Sequence, residues 1–167
     1  MIDVTGLSTR YAVRALTERD ADAVLAIYRE NGLFFRHCGA KPTREQVLED
    51  MTVTPPKTAT SAKHFVGFFR GGELIAVMDL IDGYPKTDIA YIGLFMLRAE
   101  EQGKQRGSAI LSEAEAFLKA GGFRAIRLAI NKGNPQSTHF WQKNGYVILR
   151  EADRGKWGTL LEAEKAL

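Results

Sequence analysis

The apolar residues change spacing along the chain, and each change predicts a change of element. Tyr11 to Leu16 (YAVRAL) alternates as a first strand does. Thr17-Glu18-Arg19-Asp20 then reads as a helix start, with Thr17 at the N-cap and acids in the first turn. Leu25, Ile27 and Tyr28 give that helix an apolar side through about Glu30. A second helix is predicted from Thr43, where Gln46 completes a capping box, to about Met51. Pro55-Pro56 blocks helix and central strand alike, so Thr52 to Lys63 reads as loop.

A hairpin follows: His64 to Arg70 and Glu73 to Ile81 are strands joined by Gly71-Gly72, a tight-turn signal. Asp82 to Thr87 is a turn into Ile89 to Leu97 (IAYIGLFML), which is apolar on both faces and so belongs in the middle of a covered sheet. From Gly107 the period becomes helical, with Ile110, Leu111, Ala114, Phe117 and Leu118 on one face. Gly121-Gly122 ends that helix by allowing a left-handed cap. Arg124 to Ile130 is a further strand. Asn134-Pro135 opens a last helix that Gly145 closes. Tyr146 to Arg150 and a stretch near Thr159 to Leu161 read as final strands. The predicted order, β-α-α-β-β-β-α-β-α-β-β, describes an α/β protein: a mixed sheet with helices on both faces.

Length and composition narrow the class. The 167 residues, 45% hydrophobic and 26% charged, fit one globular domain spanning 1–167. A net charge of +3 without any Lys/Arg block argues against nucleic acid. The longest apolar run, nine residues from Ile89, falls well below the roughly 20 needed to span a membrane. Met1 to Arg10 lacks the pattern of a signal peptide, and the lone Cys38 suits a reducing compartment, so a soluble cytoplasmic protein is expected. His37, His64 and His139 are too scattered to predict a metal site.

The chemistry concentrates in Arg98 to Arg106 (RAEEQGKQR), which joins the buried strand to the helix starting at Gly107. A glycine-containing loop there presents free backbone N–H groups at the positive end of a helix dipole, a place for phosphate or pyrophosphate. Lys104 and Arg106 add positive charge. The plain alternative is a connecting turn with solvated charges.

Downstream, Asn134-Pro135-Gln136-Ser137-Thr138-His139-Phe140-Trp141-Gln142-Lys143-Asn144-Gly145-Tyr146 carries a second pattern. The two segments together resemble the GNAT superfamily of N-acetyltransferases. Gln102-Gly103-Lys104-Gln105-Arg106-Gly107 follows the spacing of that family's Gln/Arg-x-x-Gly-x-Gly/Ala loop. Asn134, Ser137, Phe140, Trp141, Lys143, Gly145 and Tyr146 match its later segment, with Ser137 where the family has alanine.

The resemblance implies a GNAT-like fold: a mostly antiparallel sheet of about seven strands with one splayed parallel pair, Ile89–Leu97 and Arg124–Ile130. It implies acetyl-CoA as co-substrate, with the backbone of Phe95, Met96 and Leu97 against the pantetheine arm. Amides from Gly103 through Lys104, Gln105, Arg106 and Gly107 to Ser108 would hold the pyrophosphate, Asn134 would sit near the pantetheine beside the last helix, and Gln102, Phe140 and Lys143 are further cofactor-binding positions. An amine, unidentified by sequence, would attack the thioester directly. Dimers are common in the family, so a homodimer is a further expectation.

Two residues depart from the pattern. Gln105 stands where the family has glycine; with a negative φ its N–H would still donate, with weaker or shifted binding. Trp141 stands where the family often has a tyrosine acid, and an indole N–H is no general acid; it reads as a wall of the thioester pocket. Tyr91 falls where some members carry a glutamate base. Tyrosine, with a pKa of about 10, is a poor base at neutral pH, so Tyr91 either orients a relaying water or simply packs in the strand. These departures keep open a second class of function, an acyl-CoA-binding module without catalysis. A weaker third class is a binder of some other phosphate ligand. On the acceptor side, Phe34-Phe35-Arg36-His37 lies between the first two helices, and Asp79, Asp82 and Asp88 flank the cleft strands, where carboxylates would attract a cationic amine.

Overall fold

The computed structural model describes residues 2–155 and 158–167; Met1, the first residue of the stretch read for a signal peptide, lies outside them. The strands are β1 (Ala12–Ala15), β2 (Lys63–Arg70), β3 (Glu73–Ile81), β4 (Ile89–Leu97), β5 (Ala125–Asn131), β6 (Val147–Asp153) and β7 (Thr159–Ala166). They form one mixed sheet in the order β1-β2-β3-β4-β5-β7-β6. Every neighbouring pair is antiparallel except β4 with β5. The fold is therefore the α/β architecture expected, with one parallel pair in the middle.

The helices are α1 (Ala21–Glu30), α2 (Gly32–Cys38), α3 (Arg44–Thr52), α4 (Arg106–Ala120) and α5 (Pro135–Lys143). Thr17 caps a 3-10 turn (Glu18–Asp20) that leads into α1, and here a reciprocal capping box forms: Thr17 N–H donates to Asp20 Oδ2 at 2.8 Å. At α3, Thr43 Oγ1 accepts from Gln46 N–H, but the Gln46 side chain turns to Asp50 instead of back to Thr43. The box expected there is thus half-made. α2 is an element that the hydrophobic spacing did not predict. It occupies the Phe34–His37 region read as a link, and it ends where Gly39 takes φ 76°. The hairpin turn is as expected, with Gly71 and Gly72 at φ 56° and 81°, the positive pair that a type I′ turn demands.

Two apolar clusters lie on opposite faces. One packs α4, Trp141 of α5 and Tyr146 over Phe68, Ile75, Met78, Ile92, Ile126 and Leu128. The other packs α1, α2 and α3 over Phe65, Val77, Leu94 and Met96. β4 serves both by means of a bulge. Asp79 pairs with Leu94 but Leu80 pairs with Ile92, so Gly93 is the extra residue. The insertion reverses the alternation: Ala90 and Ile92 face the first cluster, whereas Leu94 and Met96 face the second.

Candidate functional site

The parallel pairing of β4 and β5 runs only from Ile89↔Ala125 to Ile92↔Leu128. Beyond Ile92 the two strands part, and β4 continues unaccompanied on that side through Leu97. Its other side still pairs with β3. Arg98 N–H donates to Ile75 C=O across the Ala76↔Leu97 pair, so that pair is of the non-hydrogen-bonded type. The backbone groups of Leu97, and of Phe95 two residues earlier, then point away from β3 into the gap. Those of Met96 point toward Val77. Of the three residues expected along the pantetheine arm, Phe95 and Leu97 offer the open edge, and Met96 contributes as a wall.

The gap opens into a cleft of about 310 Å³. Its floor is Phe95, Met96 and Leu97, and its end is the α4 N-terminus with Gln102, Gly103, Gln105, Arg106, Gly107 and Ser108. Asn134, Phe140, Trp141 and Lys143 of α5 form the side. Two segments far apart in sequence thus meet in one groove. Lys104 is exposed and Tyr91 lies elsewhere; neither lines the cleft.

The loop before α4 is built to bare its amides. Gly103 takes φ 70°, and Gln105, the cap residue, takes φ 59° and ψ 12°. The negative φ on which donation by the Gln105 N–H was conditional is not met: Gln105 adopts the left-handed conformation that glycine holds at no steric cost. Its side chain makes no cap hydrogen bond. The first intrahelical bond comes from Ala109 N–H to Gln105 C=O, so the N–H groups of Arg106, Gly107 and Ser108 have no partner within the helix. A Cβ at Gly107 would lie 3.3 Å from Phe140, which explains why a small residue joins α4 to α5 at this point.

Side chains brace the loop from behind. Gln102 Nε2 donates to Asn31 Oδ1 (3.0 Å) and Leu97 C=O (3.1 Å), and Asn31 Nδ2 donates to Leu97 C=O as well. Glu101, only 1% exposed, pairs with Arg70 at 2.5 Å and with Arg106. The two guanidiniums, Arg70 foremost, hold the Glu101 carboxyl below the usual range against the opposing effect of burial. The charge of Arg106 is thus shared with a carboxylate and is not a free cation at the helix end. Sequence reasoning missed Asn31 and Glu101; no local motif marks them, because Asn31 acts on Leu97 and Gln102 and Glu101 on Arg70, all far along the chain.

On the side wall, Asn134 is buried and its Oδ1 accepts from Ser137 N–H, capping α5. Trp141 packs edge-on to Phe140 and Tyr146 at 5.1 and 5.0 Å and lies 6.4 Å from Phe95. Tyr146 donates to Glu115, and burial raises its pKa. Phe34 of α2 reaches the same cleft, whereas His139 is exposed at its rim. Tyr91 stacks edge-on to Tyr84 at 5.3 Å, and burial, then Tyr84, push its hydroxyl up to about 12. Among the described residues no group of His, Cys, Asp and Glu could hold a metal ion, and no helix is long and apolar enough to cross a membrane.

An amide-lined helix end reached along an open strand edge, between splayed parallel strands, defines the acetyltransferase class of α/β proteins. The acetyltransferase (GNAT) family model matches residues 22–146, and the chain belongs to that family. Among solved structures it is similar to an acetyltransferase from Thermus thermophilus, with 25% identity and a TM-score of 0.76. That alignment covers 93% of this chain and 96% of the other. It also resembles the PaiA N-acetyltransferase of Thermoplasma acidophilum, solved in complex with coenzyme A, at 20% identity and a TM-score of 0.65, covering 93% and 98%. A GNAT-family putative acetyltransferase from Desulfovibrio desulfuricans aligns at 13% identity and a TM-score of 0.72, covering 93% and 98%. The last two likenesses are of fold. No curated protein matches the sequence significantly.

Proposed function

We propose that residues 1–167 act as one acyl-CoA-dependent N-acyltransferase domain that moves acetyl from acetyl-CoA to a primary amine by direct attack in a ternary complex. One observation carries the reading: the open backbone edge at Phe95, continued by the Leu97 N–H, runs into the amides of Arg106, Gly107 and Ser108, which have no partner within α4. The first suits the amide groups of a pantetheine arm, as an added strand would. The second suits a diphosphate at a helix N-terminus. Gln102 and Gly103 form the approach to those amides, and Gln105 lets the loop turn. Asn134, Phe140 and Lys143 flank the arm, and Trp141 with Phe95 closes the apolar end. The Leu97 carbonyl is already occupied by Asn31 and Gln102, so Phe95 supplies the acceptor. A thioester's thiol, with a pKa of about 8.5, leaves readily, and the protein's contribution is orientation and proton removal. The single thiol, Cys38, fits action in the reducing cytoplasm.

Incubation with acetyl-CoA and a panel of primary amines, following free thiol, tests the proposal. The expected result is amine-dependent thiol release; none across a broad panel overturns it. A second reading, an acyl-CoA-binding module, draws support from Trp141 in place of an acid and from the high pKa of Tyr91. Calorimetric binding of acetyl-CoA without turnover would favour that reading.

A further inference from the structure

The sheet face beneath α1, α2 and α3 buries a set of ionisable groups to which the reading above gives no task. Lys63 of β2 has a side chain only 4% exposed, and its ammonium lies 2.8 Å from Asp79 Oδ1 of β3. Asp50 of α3 accepts from the hydroxyl of Tyr28 in α1 (2.7 Å) and from Gln46. Cys38 of α2 and Tyr91 of β4 complete the surroundings. One cation thus faces two carboxylates. Burial raises both: Asp79 is pushed up to about 6, with Lys63 opposing and Asp50 adding to the rise. A buried excess of negative charge is costly, and an incoming ammonium would balance it.

Asp79 also has a way out. It stands at the β4 bulge, where a Cβ on Gly93 would lie 2.4 Å from its Oδ2. Gly93 is exposed, whereas Ile92 and Leu94 on either side are buried. Oδ1 is taken by Lys63. Among the described residues Asp79 Oδ2 has no hydrogen-bond partner, and it is not sealed as His64 Nε2 is, which leaves it open to solvent on that side. Gly93 is moreover the first residue past the last β4–β5 pair, Ile92↔Leu128. That is the splay point, toward which the thioester end of an arm lying on Phe95 would extend.

We propose that Asp79 is the catalytic proton acceptor of the transfer, and that the acceptor substrate is a cationic primary amine reaching Oδ2 through the opening at Gly93; the inference rests on the acyltransferase reading above. One proton of the ammonium passes to Asp79. The freed nitrogen lone pair forms the N–C bond to the thioester carbon, and collapse of the tetrahedral adduct breaks the C–S bond. The second nitrogen proton goes to the departing thiolate and the third stays on the amide. Asp79 returns its proton to water. Desolvation of the ammonium on entry lowers its hold on the first proton.

The test pairs the pH profile of kcat/KM for the best amine of the panel with calorimetry of CoA alone. In the wild type kcat/KM rises with pH through a limb near 6 as Asp79 ionises. In Asp79→Asn that limb disappears and kcat/KM falls about 10²- to 10⁴-fold, the usual share of a general base, while CoA binding stays within about threefold. Asp79→Glu regains part of the rate and the limb. Turnover left intact in Asp79→Asn, or an unchanged limb, overturns the inference and leaves the acyltransferase reading standing. Absence of turnover with every amine in the wild type overturns both. If Asp79→Asn fails to fold, the wild-type profile decides alone, and a flat one overturns the inference.

Discussion

Gln105 illustrates how one side chain sets the terms of the cradle. A left-handed conformation costs an ordinary L residue roughly 1–2 kcal/mol, and glycine at the same φ avoids that cost but loses about 0.5–1 kcal/mol more chain entropy on folding. The balance favours glycine by up to about 1 kcal/mol, so Gln105→Gly should raise Tm by roughly 2–4 °C. Gln105→Ala retains the φ of 59° and should bring no gain. Because the Gln105 side chain lines the cleft, its removal should also tighten CoA binding by calorimetry. Unchanged melting in Gln105→Gly would mean that the loop holds this conformation without strain. At the same scale, Lys104 and Arg106 show the reach of charge counting: both lie in the right loop, yet one is exposed outside the cleft and the other shares Glu101 with Arg70.

At the scale of elements, the link from β1 to α1 carries its own pH sensitivity. Asp20 accepts from Thr17 N–H and binds Arg14 at 2.8 Å; Arg14 foremost lowers its pKa from 3.8 to about 2, against the effect of burial. A folded-state pKa below the unfolded one adds stability that is present above pH 3.8 and lost as pH falls toward 2. Urea midpoints should therefore drop between about pH 5 and about 2, and the drop should shrink in Asp20→Asn, which at neutral pH costs about 1 kcal/mol through the lost cap. An equal drop in wild type and variant would assign the acid sensitivity elsewhere. Elements with a strong local pattern, such as the Gly71-Gly72 hairpin, β4 and α4, were legible in sequence to within a residue or so. α2 was not, because seven residues make barely two turns and GLFFRHC shows no apolar period. β7 was read short for the opposite reason. Its end, Glu162 to Ala166, is made of good helix formers, yet it is a strand because β5 and β6 pair with it on both sides. Contacts across the chain override local preference there, and it is likewise a distant partner, Arg70 of β2, that holds Glu101 of the 3-10 turn Ala99–Glu101.

For the whole molecule, one inserted residue links the two cores to the cleft. The Gly93 bulge turns β4 from one apolar cluster to the other just past its last pair with β5, and it leaves room for the Asp79 carboxylate. The amide cradle could be read from spacing because glycine, helix start and buried strand are contiguous. The bulge could not, since its register depends on β3. Gly93→Ala tests how tightly these features are joined. The new Cβ would sit 2.4 Å from Asp79 Oδ2, so the carboxylate must swing from Lys63 or β4 must shift. Overpacking of this kind costs about 1–3 kcal/mol, which for a chain of this length lowers Tm by roughly 2–12 °C. The α4 cradle lies beyond Leu97 at the far end of the groove, so CoA binding by calorimetry should change less than threefold while amine-dependent thiol release falls tenfold or more. A variant that melts and turns over like the wild type would show that Asp79 yields freely, and that neither the bulge nor the opening beside it governs the chemistry at the splay.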